Sequence, residues 1–153
     1  MKNEKLTNKT FKPGDFEYVD LGLPSGRAWA ENAAPGFYTF DEAKEVFGDY
    51  LPRAAAFAEL YEECKWEWDS EKKGYKVTGP NGLSIFMPAN GFVYSGENRV
   101  TAKGKEGNYW SRMPYSQAYA RSLNFDSGNV YPLYSNNRAG GFGVWPVREY
   151  IIP

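Results

Sequence analysis

Tyr131, Leu133, Tyr134 and Ser135 form a run of contact-making side chains between two strand-like words, LNF and GF. Tyr115 lies upstream of this run, and Ala139 and Gly140 lie just beyond it. Tyrosine supplies a large amphipathic surface at little rotamer cost, so such a run suits non-covalent recognition. Irregular residues held between regular segments are also the usual way a scaffold presents binding side chains.

Covalent chemistry is poorly supplied. The 153 residues contain no histidine, which removes the commonest general base and zinc ligand together. The single cysteine, Cys64, allows no internal disulfide. It falls with Phe57, Leu60 and Tyr61 at helical i, i+3, i+4, i+7 spacing, which assigns it to a buried stripe rather than an electropositive niche. Glu62 and Glu63 are adjacent, hence on different faces of a helix, and read as solvated charge.

Oxygen donors for calcium would be Asp126, Asn124, Asn129, Asn136 and Asn137. Asp126 is the only carboxylate in that part of the tail, and in its DSG setting it reads as a turn former. Gly140, Gly141 and Gly143 lack the Lys-Ser/Thr and helix start of a phosphate loop, so they read as turn glycines. No catalytic residue, metal or cofactor is assigned. The ligand expected is a protein or a carbohydrate, and for a sugar Tyr131, Tyr134 and Trp145 would offer ring faces.

The length is that of one domain with room for a core. With 18 basic and 19 acidic residues the charge is near balance, giving no footprint for nucleic acid. No apolar run approaches the ~20 residues of a membrane helix, so no membrane insertion is expected. The N-terminus, MKNEKLTNKTFKPGD, carries charge but no apolar h-region, so no intact secretory signal is read there. A phage virion, or a bacterial cell surface reached after signal removal, is the expected location.

These residues need elements to hold them. Residues 1–14 read as a flexible polar lead ending at Pro13-Gly14, and 15–153 as a single domain. Phe16 to Leu21 alternates as a first strand, and RAWA (27–30) follows the turn LPSG. Thr39 with Glu42 makes a capping box for a helix closed by Gly48. A second helix is expected from about Pro52 to Cys64, with Pro52 at its first position.

Strands follow at Trp66 to Asp69, Tyr75 to Thr78 and Ser84 to Met87, separated by SEKKG and GPNG. Residues 89–108 read as a long surface loop. NYW, Ala118 to Phe125 and Gly141 to Val147 complete the strands, the last expected beside the first. The class is α+β, with two helices and short antiparallel strands. Trp29, Phe57, Leu60, Trp110, Leu123, Phe125, Phe142 and Val144 are the expected core.

The words VDLGLPSGRAWAEN, LP before a helix ending in CKWEW, GYKVTGPNGLSIFMPANG and NYWS…AYARSLNFDSGNV…NNR..GFGVWPVRE occur here in that order. Together they span residues 16–149. In this they resemble a paralogous domain family of anaerobic gut and rumen bacteria and their phages, related to formylglycine-generating enzymes. The resemblance implies a C-type-lectin-like fold.

Some members are variable proteins of diversity-generating retroelements, in which adenines of AAY asparagine codons near the 3′ end are mutated. Tyr, Leu, Ser, Ala and Gly are all reachable from AAY by adenine changes alone. The resemblance therefore implies a variable ligand-binding surface within about 107–148, carried by Tyr115, Tyr131, Leu133, Tyr134, Ser135, Ala139 and Gly140 on one face. Met113, Gln117 and Trp145 fail the codon test, which bounds that surface. A non-diversified lectin-like module is the alternative. Relatives include monomers and trimers, so a homo-oligomer is compatible with the resemblance. The formylglycine-generating relatives use a cysteine pair, and this chain has a single cysteine, so no enzyme activity is expected.

Overall fold

The computed structural model describes residues 15–149. The expected polar lead, residues 1–14, lies outside the described residues. Within them the class is α+β: two short α-helices and three small antiparallel sheets of three strands each.

The first sheet joins β1 (Tyr18–Asp20), β2 (Ala28–Ala30) and β9 (Val147–Arg148) in the order β1-β2-β9. The first and closing strands thus share a sheet but are not neighbours. Trp29 of β2 pairs with Val19 on one side and Val147 on the other. All three β2 residues are buried, which a central strand requires and the word RAWA supplies. Residues 141–143, expected in the closing strand, make only isolated bridges: Tyr38 with Phe142, Val93 with Gly141, Tyr109 with Gly143.

Helix α1 (Phe40–Phe47) begins at the predicted capping box. The Thr39 hydroxyl accepts from the Glu42 amide at 3.2 Å, and the Glu42 carboxylate accepts from the Thr39 amide at 2.9 Å. Gly48 ends it at φ 50°, and its amide donates to the Lys44 carbonyl. Helix α2 (Ala54–Glu63) starts later than expected. Arg53 is its cap residue, so Pro52 stands outside the helix rather than at its first position. Phe57 and Leu60 face inward, but Tyr61 is 44% exposed. Cys64 follows the last helical turn, half-buried against the core, and burial, then Glu59 and Glu63, push its thiol up to about 11.

The second sheet, β3 (Lys65–Asp69), β4 (Gly74–Thr78) and β5 (Ser84–Pro88), is a meander whose two turns are the predicted ones. The third, β6 (Gly107–Pro114), β7 (Tyr119–Phe125) and β8 (Val130–Asn137), has β7 at its centre. Alternation along these strands feeds two cores. Tyr109, Leu123 and Phe125 join Trp29, Phe57, Leu60 and Trp145 on one side. Trp110 and Ala120 join Phe40, Phe47, Phe142 and Val144 on the other.

All eight expected core residues are buried. Trp145 is buried too: it packs edge-on against Tyr109 at 5.6 Å, and its Nε1–H donates to the Ala30 carbonyl at 2.7 Å. It therefore offers no ring face to a sugar. Gly107 is fixed by contact, because a Cβ there would enter the Phe125 ring.

Candidate ligand-binding site

β8 is the decisive correction to the sequence reading. Its residues were expected to be irregular, yet Val130–Asn137 is a continuous strand paired to β7. Pro132 hides it from a pattern search, and is tolerated because β8 is an edge strand whose outer side needs no donor. The register also slips. Tyr131 pairs with Asn124 and Tyr134 with Ser122, so three steps on β8 match two on β7. This bulge resets the alternation. Tyr131 and Tyr134, three residues apart, consequently share a face, with ring centroids 5.8 Å apart.

That face borders an open pocket of about 920 Å³. Tyr131, Tyr134, Asn136 and Asn137 line it from β8, with Ala139 and Gly140 from the turn that follows. The turn is held by Arg138, whose guanidinium donates to the carbonyls of Tyr119 and Ser116 at 3.2 and 2.6 Å. The Asn137 carboxamide oxygen accepts from the Ala139 amide at 2.9 Å. Reciprocal backbone bonds of 2.9 and 2.7 Å between Val93 and Gly141 then bring a second wall alongside. That wall is Phe92, Val93, Tyr94 and Ser95, with Glu106 nearby. Sequence reasoning missed it by treating residues 89–108 as a solvated loop. The alternating aromatics Phe92 and Tyr94 were the available signal, and their rings meet edge-on at 4.9 Å.

Asparagines bond to one another beside the pocket, and Asn108, Asn124 and Asn136 line it. The Asn90 carboxamide pairs with the Asn108 backbone, accepting from its amide at 2.8 Å and donating to its carbonyl at 3.1 Å. The Asn108 Oδ1 accepts from the Asn124 Nδ2 at 2.7 Å. Asn136 Nδ2 donates to the buried Ser122 hydroxyl at 2.7 Å. Asp126 acts as the predicted turn former: its Oδ1 accepts from the amides of Gly128 and Asn129, both at 2.9 Å. Of the five calcium-donor candidates, Asn124, Asp126, Asn136 and Asn137 line the pocket and Asn129 does not. Among the described residues no group of three or more Cys, Asp or Glu side chains is arranged to hold a metal ion.

The seven expected surface residues do not share one face. Tyr131, Tyr134, Ala139 and Gly140 line the pocket; Gly140 is buried rather than accessible. Tyr115, Leu133 and Ser135 do not line it and gather instead around Arg121. The Arg121 guanidinium lies 4.1 Å from the Tyr115 ring centre and donates to the Leu133 carbonyl at 2.8 Å. Ser135 is its partner in register. Tyr115 and Leu133 are more than half or half exposed, at 57% and 50%, while Ser135 is only partly so. Strand alternation separates the two groups: Arg121 and Ser135 project away from Tyr134 and Asn136. No family model, curated protein or solved structure matches this chain.

Proposed function

We propose that this chain is a ligand-binding display domain of the C-type-lectin-like kind, with its recognition surface on β8 and the turn after it. The observation that carries the reading is the exposure of Tyr131, Leu133 and Tyr134 along one edge strand, Tyr131 and Tyr134 at a pocket and Leu133 outside it. Large side chains left half in water over a well-packed sheet gain nothing for the fold, and Tyr is the residue that converts exposure into contact most cheaply. Diversification of the gene's 3′ end accounts for residue types here that adenine changes in asparagine codons produce.

Panning a protein display library against the intact chain tests the reading. Binders selected on it should lose about tenfold or more in affinity for the triple variant Tyr131→Ala, Leu133→Ala, Tyr134→Ala. The variant's unfolding free energy should move by only about 0.5 kcal/mol per exposed site. A collapse in stability, or binders indifferent to the triple change, overturns the proposal. Diversification has its own check in the flanking DNA, where a reverse-transcriptase gene and a near-identical template copy of the 3′ end are expected.

A second reading, a non-diversified carbohydrate-binding module, is favoured by the two tilted tyrosine rings at the pocket mouth. Glycan-array binding that disappears with Tyr131→Ala and Tyr134→Ala would select it.

A further inference from the structure

We propose that the pocket beside β8 receives the guanidinium of an arginine side chain presented by a partner protein, an assignment that rests on the display reading above. Three features of the pocket converge on that chemistry. The first is its rings. Phe92 and Tyr94 from one wall and Tyr131 and Tyr134 from the other line one space, and the three tyrosines are 43–55% exposed. Aromatic faces attract cations, and a planar guanidinium also stacks on them.

The second feature is charge. Among the described residues, the only charged ones lining the pocket are Glu106 and Asp126, both acidic. Among the described residues neither takes part in a salt bridge. Arg121 is held by Tyr115 and Leu133, Arg138 by Ser116 and Tyr119, and neither of them nor Lys103 or Lys105 lines the space. A cation entering the space thus meets two carboxylates and, among the described residues, no lining Lys or Arg.

The third feature is hydrogen-bond polarity. Asn124 Nδ2 donates to both the Gly107 carbonyl and Asn108 Oδ1, so its two N–H groups are used inside the fold. Its Oδ1 takes no bond from another described residue, and Asn124 is one of the residues that line the pocket. With the Glu106 and Asp126 carboxylates, it adds to the acceptors among the lining residues. Arginine is the side chain that brings only donors, five of them in a fixed fork. A sugar hydroxyl brings donors and acceptors alike but no charge to meet the two carboxylates. The open mouth and the exposed rim of Tyr131 and Tyr134 suit a side chain carried on a polypeptide.

The test titrates N-acetyl-arginine N-methylamide into the isotope-labelled intact chain and follows amide resonances. The neutral isostere N-acetyl-citrulline N-methylamide and a methyl glucoside run in parallel. The arginine probe should shift resonances of residues 92–95, 106 and 131–137. It should bind about tenfold more tightly than citrulline, the worth of one charge-assisted hydrogen bond. Glu106→Gln and Asp126→Asn should each weaken it, and both retain hydrogen-bonding shape, so the dispersed spectrum reports an intact fold. Raising salt should weaken arginine binding and leave citrulline unchanged.

Equal binding of arginine and citrulline, indifference to both carboxylate changes, or no shift in the pocket overturns the proposal. If citrulline or the glucoside alone titrates the same resonances, and Tyr134→Ala abolishes this, the pocket is a recognition site and only its cation assignment fails. The library screen judges the display reading separately.

Discussion

At the residue scale, neighbours in sequence have unlike duties here. Tyr109 and Trp110 are both fully buried, yet they serve cores on opposite sides of one sheet. Trp110 packs edge-on against Phe142 at 4.8 Å, and its Nε1–H donates to the Tyr38 carbonyl at 2.8 Å. Trp110→Ala removes that bond and opens a cavity between β6 and α1, at a cost of about 3–5 kcal/mol. Chemical denaturation of the variant should show a loss of that size, and an unchanged midpoint would remove Trp110 from the core. Trp145 carries the opposite lesson. Composition cannot distinguish a ring that stacks on a ligand from one that bonds to a carbonyl 115 residues away. Its burial is a property of the closed fold, and no local signal announces it.

At the element scale, legibility followed locality. The capping box at Thr39, the turns of the β3–β5 meander and the inward stripe of Phe57 and Leu60 depend on residues three or four apart, and all were readable. β8 was not, because Pro132 and the bulge break the two-residue period that identifies a strand. The wall at 92–95 was hidden for another reason: it is placed by pairing with Thr101 and Gly141, partners the sequence does not mark.

The bulge also yields a prediction. Deleting Pro132 removes the extra residue, leaves Tyr131 and Tyr134 two apart, and so keeps both on the pocket face. Contacts between the two rings should persist in nuclear Overhauser spectra. Deleting Ser135 instead turns Asn136 away from the buried Ser122 hydroxyl, which loses its partner at about 1–3 kcal/mol. Equal tolerance of the two deletions would show that the register is not set by this bulge.

At the scale of the whole molecule, buried phenols tie stability to alkaline pH. Burial, aided by Glu42, pushes Tyr38 up to about 12 from its ordinary 10.0. Burial and Tyr50, opposed by Arg148, push Tyr18 to about 12. Tyr109, wholly enclosed, is pushed up further. The folded state keeps protons that the unfolded chain releases near pH 10. Their contribution is complete below that pH and is lost as pH rises toward 12, with Tyr38 alone accounting for roughly 2–3 kcal/mol. Unfolding midpoints measured from pH 8 to 12 should hold steady and then fall above 10. Tyr38→Phe should flatten that fall, and an unaltered slope would remove Tyr38 from the account.

The order β1-β2-β9 has a mechanical consequence. Tyr18, where β1 begins, lies beside Ala30, whereas Arg148, where β9 ends, lies beside Ala28. The chain therefore enters this sheet at one end of β2 and leaves it at the other. Tension applied between those two points runs along the strands, so the hydrogen bonds on both sides of β2 share the load and must rupture together. A hairpin pulled from its open end surrenders its bonds one by one; this sheet, pulled from opposite ends of β2, behaves as a clamp.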